Sequence, residues 1–103
     1  MTSNLKFIRL RVEPELIQPI NNLASTRDEM KAEIAGEIVE WFLARRSDGT
    51  LTARYFSSPK DADYVGIRLH RSTVMKVKQL SLQDNQPINR IIYTALARYF
   101  EQQ

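Results

Sequence analysis

Arginine stands among alternating apolar residues in two short stretches of this 103-residue chain. The first reads Phe7-Ile8-Arg9-Leu10-Arg11-Val12 and the second Tyr64-Val65-Gly66-Ile67-Arg68-Leu69. A period of two puts Phe7, Arg9 and Arg11 on one face of an extended strand, and Ile8, Leu10 and Val12 on the other. In the second stretch Tyr64, Gly66 and Arg68 oppose Val65, Ile67 and Leu69. A guanidinium is a planar fork of donors that engages two neighbouring acceptors at once, such as the O6 and N7 of a guanine. The plainer role for such arginines is to keep an exposed sheet face soluble. One strand would favour that role. Two matched strands favour a binding face.

Other chemistry is poorly supplied. His70 is the only histidine and there is no cysteine, which removes disulfides and cysteine-based zinc sites. His70 reads as a strand-end residue and Trp41 as core. No nucleophile-base-acid set, phosphate loop or metal-ligand spacing is visible, so neither an enzyme nor a cofactor is expected. No apolar run is long enough for a membrane span, and no signal-peptide core is present. The expected compartment is the cytoplasm. The net charge of +3 is unevenly spread. Residues 1–46 carry seven Lys/Arg and seven Asp/Glu, residues 47–63 two and three, and residues 64–103 six and two. The basic last part points to a polyanionic partner.

The elements that must position the two faces follow from apolar spacing. Residues 1–5 read as a short polar leader, and a strand follows over residues 6–12. Pro14, beside Glu13 and Glu15, suits a helix start. Leu16, Ile20, Leu23 and Ala24 form its stripe, and Pro19 is expected to kink this helix or delay its start. Asp28, or else Thr26, reads as the N-cap of a second helix reaching Arg46, with Ile34, Ile38, Trp41 and Phe42 inward. Residues 47–63 are a connector with a turn at Asp48-Gly49. Its Leu51, Tyr55 and Phe56 are apolar enough to pack on the body. After the second strand, Ser72 suits a cap, and Thr73, Val77 and Leu80 form a stripe. Pro87 suits the first position of a last helix, in which Ile88, Ile91, Ile92, Ala95, Leu96 and Tyr99 share one face.

The chain thus reads as a strand-helix-helix unit written twice, over residues 1–46 and 64–103. A spacing of 57 aligns Arg11 with Arg68, Ile20 with Val77 and Leu23 with Leu80. Shortening the first unit's turn by one residue aligns Ile34, Ile38 and Phe42 with Ile92, Leu96 and Phe100. A spacing of 59 would instead match the two Ile-Arg-Leu triplets, but it sets Ile20 against Gln79. One such unit cannot bury its apolar strand face. Two can, if the strands pair antiparallel and four helices close over one side of the ribbon. The expected fold is α+β, mainly α, with one shared core.

Each unit resembles a ribbon-helix-helix domain of the Arc/MetJ type. Arg68-Leu69, Leu80, Pro87-Ile88-Asn89, Ile92, Ala95-Leu96 and Tyr99 carry the likeness in the second unit. Arg11-Val12-Glu13-Pro14-Glu15-Leu16 and Leu23-Ala24 carry it in the first, which departs from the pattern at Pro19 and at Asp28-Glu29-Met30. Two copies in one chain imply an intramolecular pseudo-dimer, monomeric in solution. That arrangement is similar to the TraY-type proteins of conjugative plasmids, which bind DNA near the transfer origin, assist the relaxase complex and can regulate transfer genes.

The resemblance implies sequence-specific binding of double-stranded DNA, with the ribbon in the major groove. It makes Phe7, Arg9, Arg11, Tyr64, Gly66 and Arg68 the base-reading positions. It pairs Arg9 with Gly66, Arg11 with Tyr64 and Phe7 with Arg68. Phe7 or Tyr64 would meet a thymine methyl, and Gly66 would leave room for Arg9. Phosphates would sit at the N-termini of the second helices, on Met30 and Lys31 in the first unit and on Gln86, Ile88 and Asn89 in the second. Asp28 and Glu29 place acid at the first of these clamps. Relaxase or other nucleoprotein components are the implied partners, with several copies able to lie side by side on DNA. The rival reading is a protein-protein adaptor or antitoxin-like partner binder. An antitoxin needs a tail that folds on its toxin, and the expectation is that none follows the last helix, which ends close to Gln103.

Overall fold

The computed structural model describes residues 4–101. The two alternating stretches form β1 (Leu5–Arg11) and β2 (Tyr64–His70). They pair antiparallel as a two-stranded ribbon, and the central partners are Ile8 and Ile67. The register also joins Phe7 to Arg68, Arg9 to Gly66 and Arg11 to Tyr64, as the resemblance implied. Four helices complete the fold: α1 (Pro14–Arg27), α2 (Lys31–Ser47), α3 (Arg71–Asp84) and α4 (Ile88–Glu101). The class is therefore α+β, mainly α.

Period-two burial decides the ribbon's orientation. Ile8, Leu10, Ile67 and Leu69 are buried under the helices. They join Ile20, Ile34, Ile38, Val39, Phe42, Val77, Ile91, Ile92 and Leu96 in one apolar cluster drawn from both halves of the chain. The radius of gyration is 13.0 Å, close to the ~13 Å of a single domain of about 100 residues. Burying one face of a two-stranded ribbon requires such a shared core, because an isolated hairpin is marginal in water.

Several local expectations are corrected. α1 starts at Pro14 as expected, so Pro19 does not delay it and lies inside the helix. A proline in a second turn removes only one helical bond, and burial of Ile20 and Ala24 holds the helix to the core. Asp28 caps the end of α1 rather than the start of α2. It is left-handed, at φ 53°, and the Glu29 N–H returns to the Ala24 carbonyl at 2.9 Å. Asn85, at φ 54°, closes α3 in the same way, with the Gln86 N–H on the Ser81 carbonyl at 3.1 Å. Asp and Asn tolerate this conformation better than other residues with a Cβ. α2 begins at Lys31 with Met30 as its N-cap and no side-chain bond there. The cap of α3 is His70, not Ser72. Pro87 lies one residue before α4, and its carbonyl accepts the Ile91 N–H at 3.2 Å.

The repeat spacing is corrected too. Both helices of the second unit start 57 residues after those of the first, and the ends of the first helices and the left-handed caps are also 57 apart. That spacing therefore holds for the first helix, the two turns are equally long and no residue is missing from the first. The strands differ by 59 residues, which aligns the two Ile-Arg-Leu triplets, each with its Ile and Leu buried and its Arg exposed. Val12-Glu13 between β1 and α1 has no counterpart between β2 and α3, where strand runs directly into helix. A two-residue shift leaves every side chain on its face.

The connector is fastened to the helices. Leu51 is buried. Arg98, only 5% exposed, donates to the carbonyls of Thr52 (2.7 Å) and Arg54 (3.4 Å). The Thr94 hydroxyl accepts the Phe56 N–H at 2.9 Å. Arg46 forks onto both oxygens of Asp84, at 2.9 Å and 2.7 Å, and also donates to the Leu51 carbonyl at 3.0 Å. The Tyr55 hydroxyl donates to the same Asp84. These contacts occupy a further side of α4, which is why Thr94 and Arg98 are buried along with its apolar stripe. Tyr93 is buried on another side, where its hydroxyl donates to the Glu13 carboxylate at 2.8 Å.

Candidate nucleic-acid interface

With Ile8, Leu10, Ile67 and Leu69 inward, alternation sends Phe7, Arg9, Arg11, Tyr64, Gly66 and Arg68 to the opposite face of the ribbon. Both rings are exposed, Phe7 by 57% and Tyr64 by 50%. The guanidinium groups lie against them. Those of Arg9 and Arg11 sit 4.2 Å and 4.4 Å from the centre of the Tyr64 ring, and that of Arg68 sits 5.9 Å from the Phe7 ring. Stacking of this kind holds a charged fork while leaving its hydrogen-bonding edge available. A hydrogen bond from Arg11, with its charge and that of Arg9, holds the Tyr64 hydroxyl below the usual tyrosine range.

The six positions are not equivalent. Arg11 is half-buried and donates to the carbonyls of Lys60 and Ala62, the latter at 3.3 Å. Its fork is thus shared with the connector. Arg9 and Arg68 are exposed, and their guanidinium groups make ring contacts but no hydrogen bond or ion pair among the described residues. Gly66 leaves room for Phe7 rather than for Arg9. A Cβ at Gly66 would stand 2.3 Å from Phe7 Cε2 and 2.5 Å from Cζ, so the ring lies where a side chain at position 66 would go.

The helix N-termini approach the ribbon, one at each strand. Lys31, at the start of α2, lines a cavity of about 180 Å³ together with Arg68, Gly66, Asn21 and Ile17. At the start of α4, Asn89 Nδ2 donates to the Arg9 carbonyl at 3.1 Å. This bond fixes α4 to β1, so Asn89 offers its backbone N–H rather than a free side chain. Met30 is 63% exposed beside Lys31, and Ile88 opens α4. Gln86 is otherwise engaged. Its N–H bonds Ser81, its carbonyl accepts the Ser81 hydroxyl, and its side chain accepts from Arg90 at 3.0 Å. The acid in the first turn of α2 is Glu33, 3.2 Å from His70 Nε2, whereas α4 has none. Lys76, another cation with phosphate-binding chemistry, is paired with Glu40 at 2.9 Å.

Sequence reasoning missed Asn89's hold on the ribbon and Arg11's on the connector. Both join a side chain to a backbone carbonyl far away in sequence and leave no periodic trace. Among the described residues, no group of three or more His, Cys, Asp or Glu converges to hold a metal, and no helix is long and apolar enough to cross a membrane. No family model, curated protein or solved structure matches the chain.

Proposed function

We propose that this chain is a tandem ribbon-helix-helix protein, an intramolecular pseudo-dimer that binds double-stranded DNA in a sequence-specific manner. The ribbon enters the major groove with Arg9, Arg68, Phe7 and Tyr64 against base edges, a groove wide enough for two strands. The first N–H groups of α2, at Lys31, and of α4, at Ile88 and Asn89, take phosphates on either side. The observation that carries this reading is the exposed ribbon face. Two guanidinium forks without other partners among the described residues are held on it by aromatic rings, with a helix N-terminus beside each strand. On this reading the protein is a cytoplasmic regulator of transcription or an accessory factor at a plasmid transfer origin, and a relaxase complex is a natural partner.

Gel shifts on a random duplex pool test the reading, run from about 50 to 200 mM salt. Affinity should fall steeply across that range as phosphate contacts release counterions, by about tenfold or more for several contacts. An absence of binding at the lowest salt overturns it.

A further inference from the structure

We propose that Phe7 reads the C5 methyl group of a pyrimidine in the major groove, an inference that rests on the DNA-binding reading above. The missing side chain at Gly66 lets the Phe7 ring lie across the ribbon, in space a Cβ would fill. The ring is still 57% exposed there, on the outward face. One fork stands beside it, and a second is drawn off to the other ring. Arg68 is its cross-strand partner, 5.9 Å from the ring centre, and Arg9 lies opposite Gly66 and leans away to Tyr64. Tyr64 cannot serve in the same way, because Arg9 and Arg11 already lie against its ring at 4.2 Å and 4.4 Å. The face therefore presents one apolar patch with the Arg68 fork beside it, over the glycine that faces Arg9 near the centre of the ribbon.

Base edges in the major groove offer many donors and acceptors but one apolar group, the methyl at C5 of thymine. 5-Methylcytosine carries the same methyl. A flat ring with an arginine beside it matches a methylated pyrimidine with a guanine acceptor next to it. The pairing also gives Gly66 its role, since any larger residue there displaces the ring.

The test uses the duplex best bound by the full chain. Each thymine is replaced in turn by deoxyuridine, which deletes only the methyl. At the responsive position cytosine and 5-methylcytosine are then compared. One thymine should respond, with binding weakened about threefold to fivefold, the size expected for one methyl returned to water. A similar preference for 5-methylcytosine over cytosine assigns the methyl itself; a preference confined to thymine over uracil assigns thymine as the natural ligand. Both support the proposal. Phe7→Ala and Gly66→Ala should each bring the thymine/uracil ratio close to one while DNA is still bound, with circular dichroism checking the fold. If no thymine responds, or if Phe7→Ala keeps the full ratio, the methyl-reading role is overturned and DNA binding stands. If the unaltered chain binds no duplex at low salt, both fall together.

Discussion

The three arginines of the ribbon differ in what else they hold, and that difference predicts different losses. The guanidinium groups of Arg9 and Arg68 are held only by rings among the described residues. Arg9→Ala and Arg68→Ala should each weaken specific DNA binding by about 1–3 kcal/mol and leave folding stability within about 0.5 kcal/mol. Arg11 also joins β1 to the Lys60 and Ala62 carbonyls. Arg11→Ala should therefore cost about 1 kcal/mol of stability. Urea titration followed by circular dichroism, beside gel shifts on the same variants, separates the two behaviours. Equal destabilisation by all three substitutions would overturn the distinction. Alternation alone made the two faces legible, since one buried face leaves a period-two strand little freedom of register. Contacts between side chains on one face were not legible. Whether Phe7 or Arg9 fills the space above Gly66 depends on rotamers, and Arg11's carbonyl partners lie 49 and 51 residues away.

Among the elements, the connector departs furthest from a plain linker. Its anchors are Arg46, Asp84, Tyr55, Thr94 and Arg98, of which the sequence marked only Tyr55, and that as an apolar group. Helix periodicity sorts residues into apolar stripe and polar remainder. It does not show when a loop covers the remainder, as here over α4. The Asp84 and Arg46 side chains are only 8% and 13% exposed. Breaking a buried pair leaves one charge unmatched, so Asp84→Ala should cost about 3–5 kcal/mol. Burial pushes the Asp84 carboxyl up, but hydrogen bonds from Tyr55 and Arg46 and the Arg46 charge together outweigh it and hold the group below its ordinary value of 3.8. A depressed folded value means stability that is complete above pH 3.8 and fades as the pH falls through the folded value. Denaturation midpoints measured from pH 7 down to about pH 2 should drop at the acid end, and drop less in Asp84→Asn. An acid limb equally steep in Asp84→Asn would assign the loss to other carboxylates.

At the scale of the whole molecule, the pairing centre at Ile8–Ile67 decides the symmetry of whatever the ribbon reads. Arg9 and Arg68 each lie one residue past that centre along their own strand, so they stand at matching distances on either side. The 57-residue alignment expected from the sequence matched Arg68 with Arg11 instead. The 59-residue strand spacing matches it with Arg9 and makes the two central arginines equivalent. The asymmetry moves to the remaining positions. Phe7 matches Gly66, and Arg11, tied to the connector, matches His70, which is paired with Glu33. The helix starts differ as well, since α2 carries Glu33 in its first turn and α4 carries no acid. Site symmetry mirrors protein symmetry in DNA recognition. The preferred duplex should then hold two guanines related by an approximate dyad, around a centre and flanks that break it. Selection from random duplexes, followed by footprinting, should recover one orientation of such a site. Arg9→Ala and Arg68→Ala should each relax one of the two guanines and leave the other demanded. Recovery of perfect inverted repeats, with the two variants giving the same relaxed site, would mean that the halves are read alike and that the Phe7–Gly66 difference plays no part in recognition.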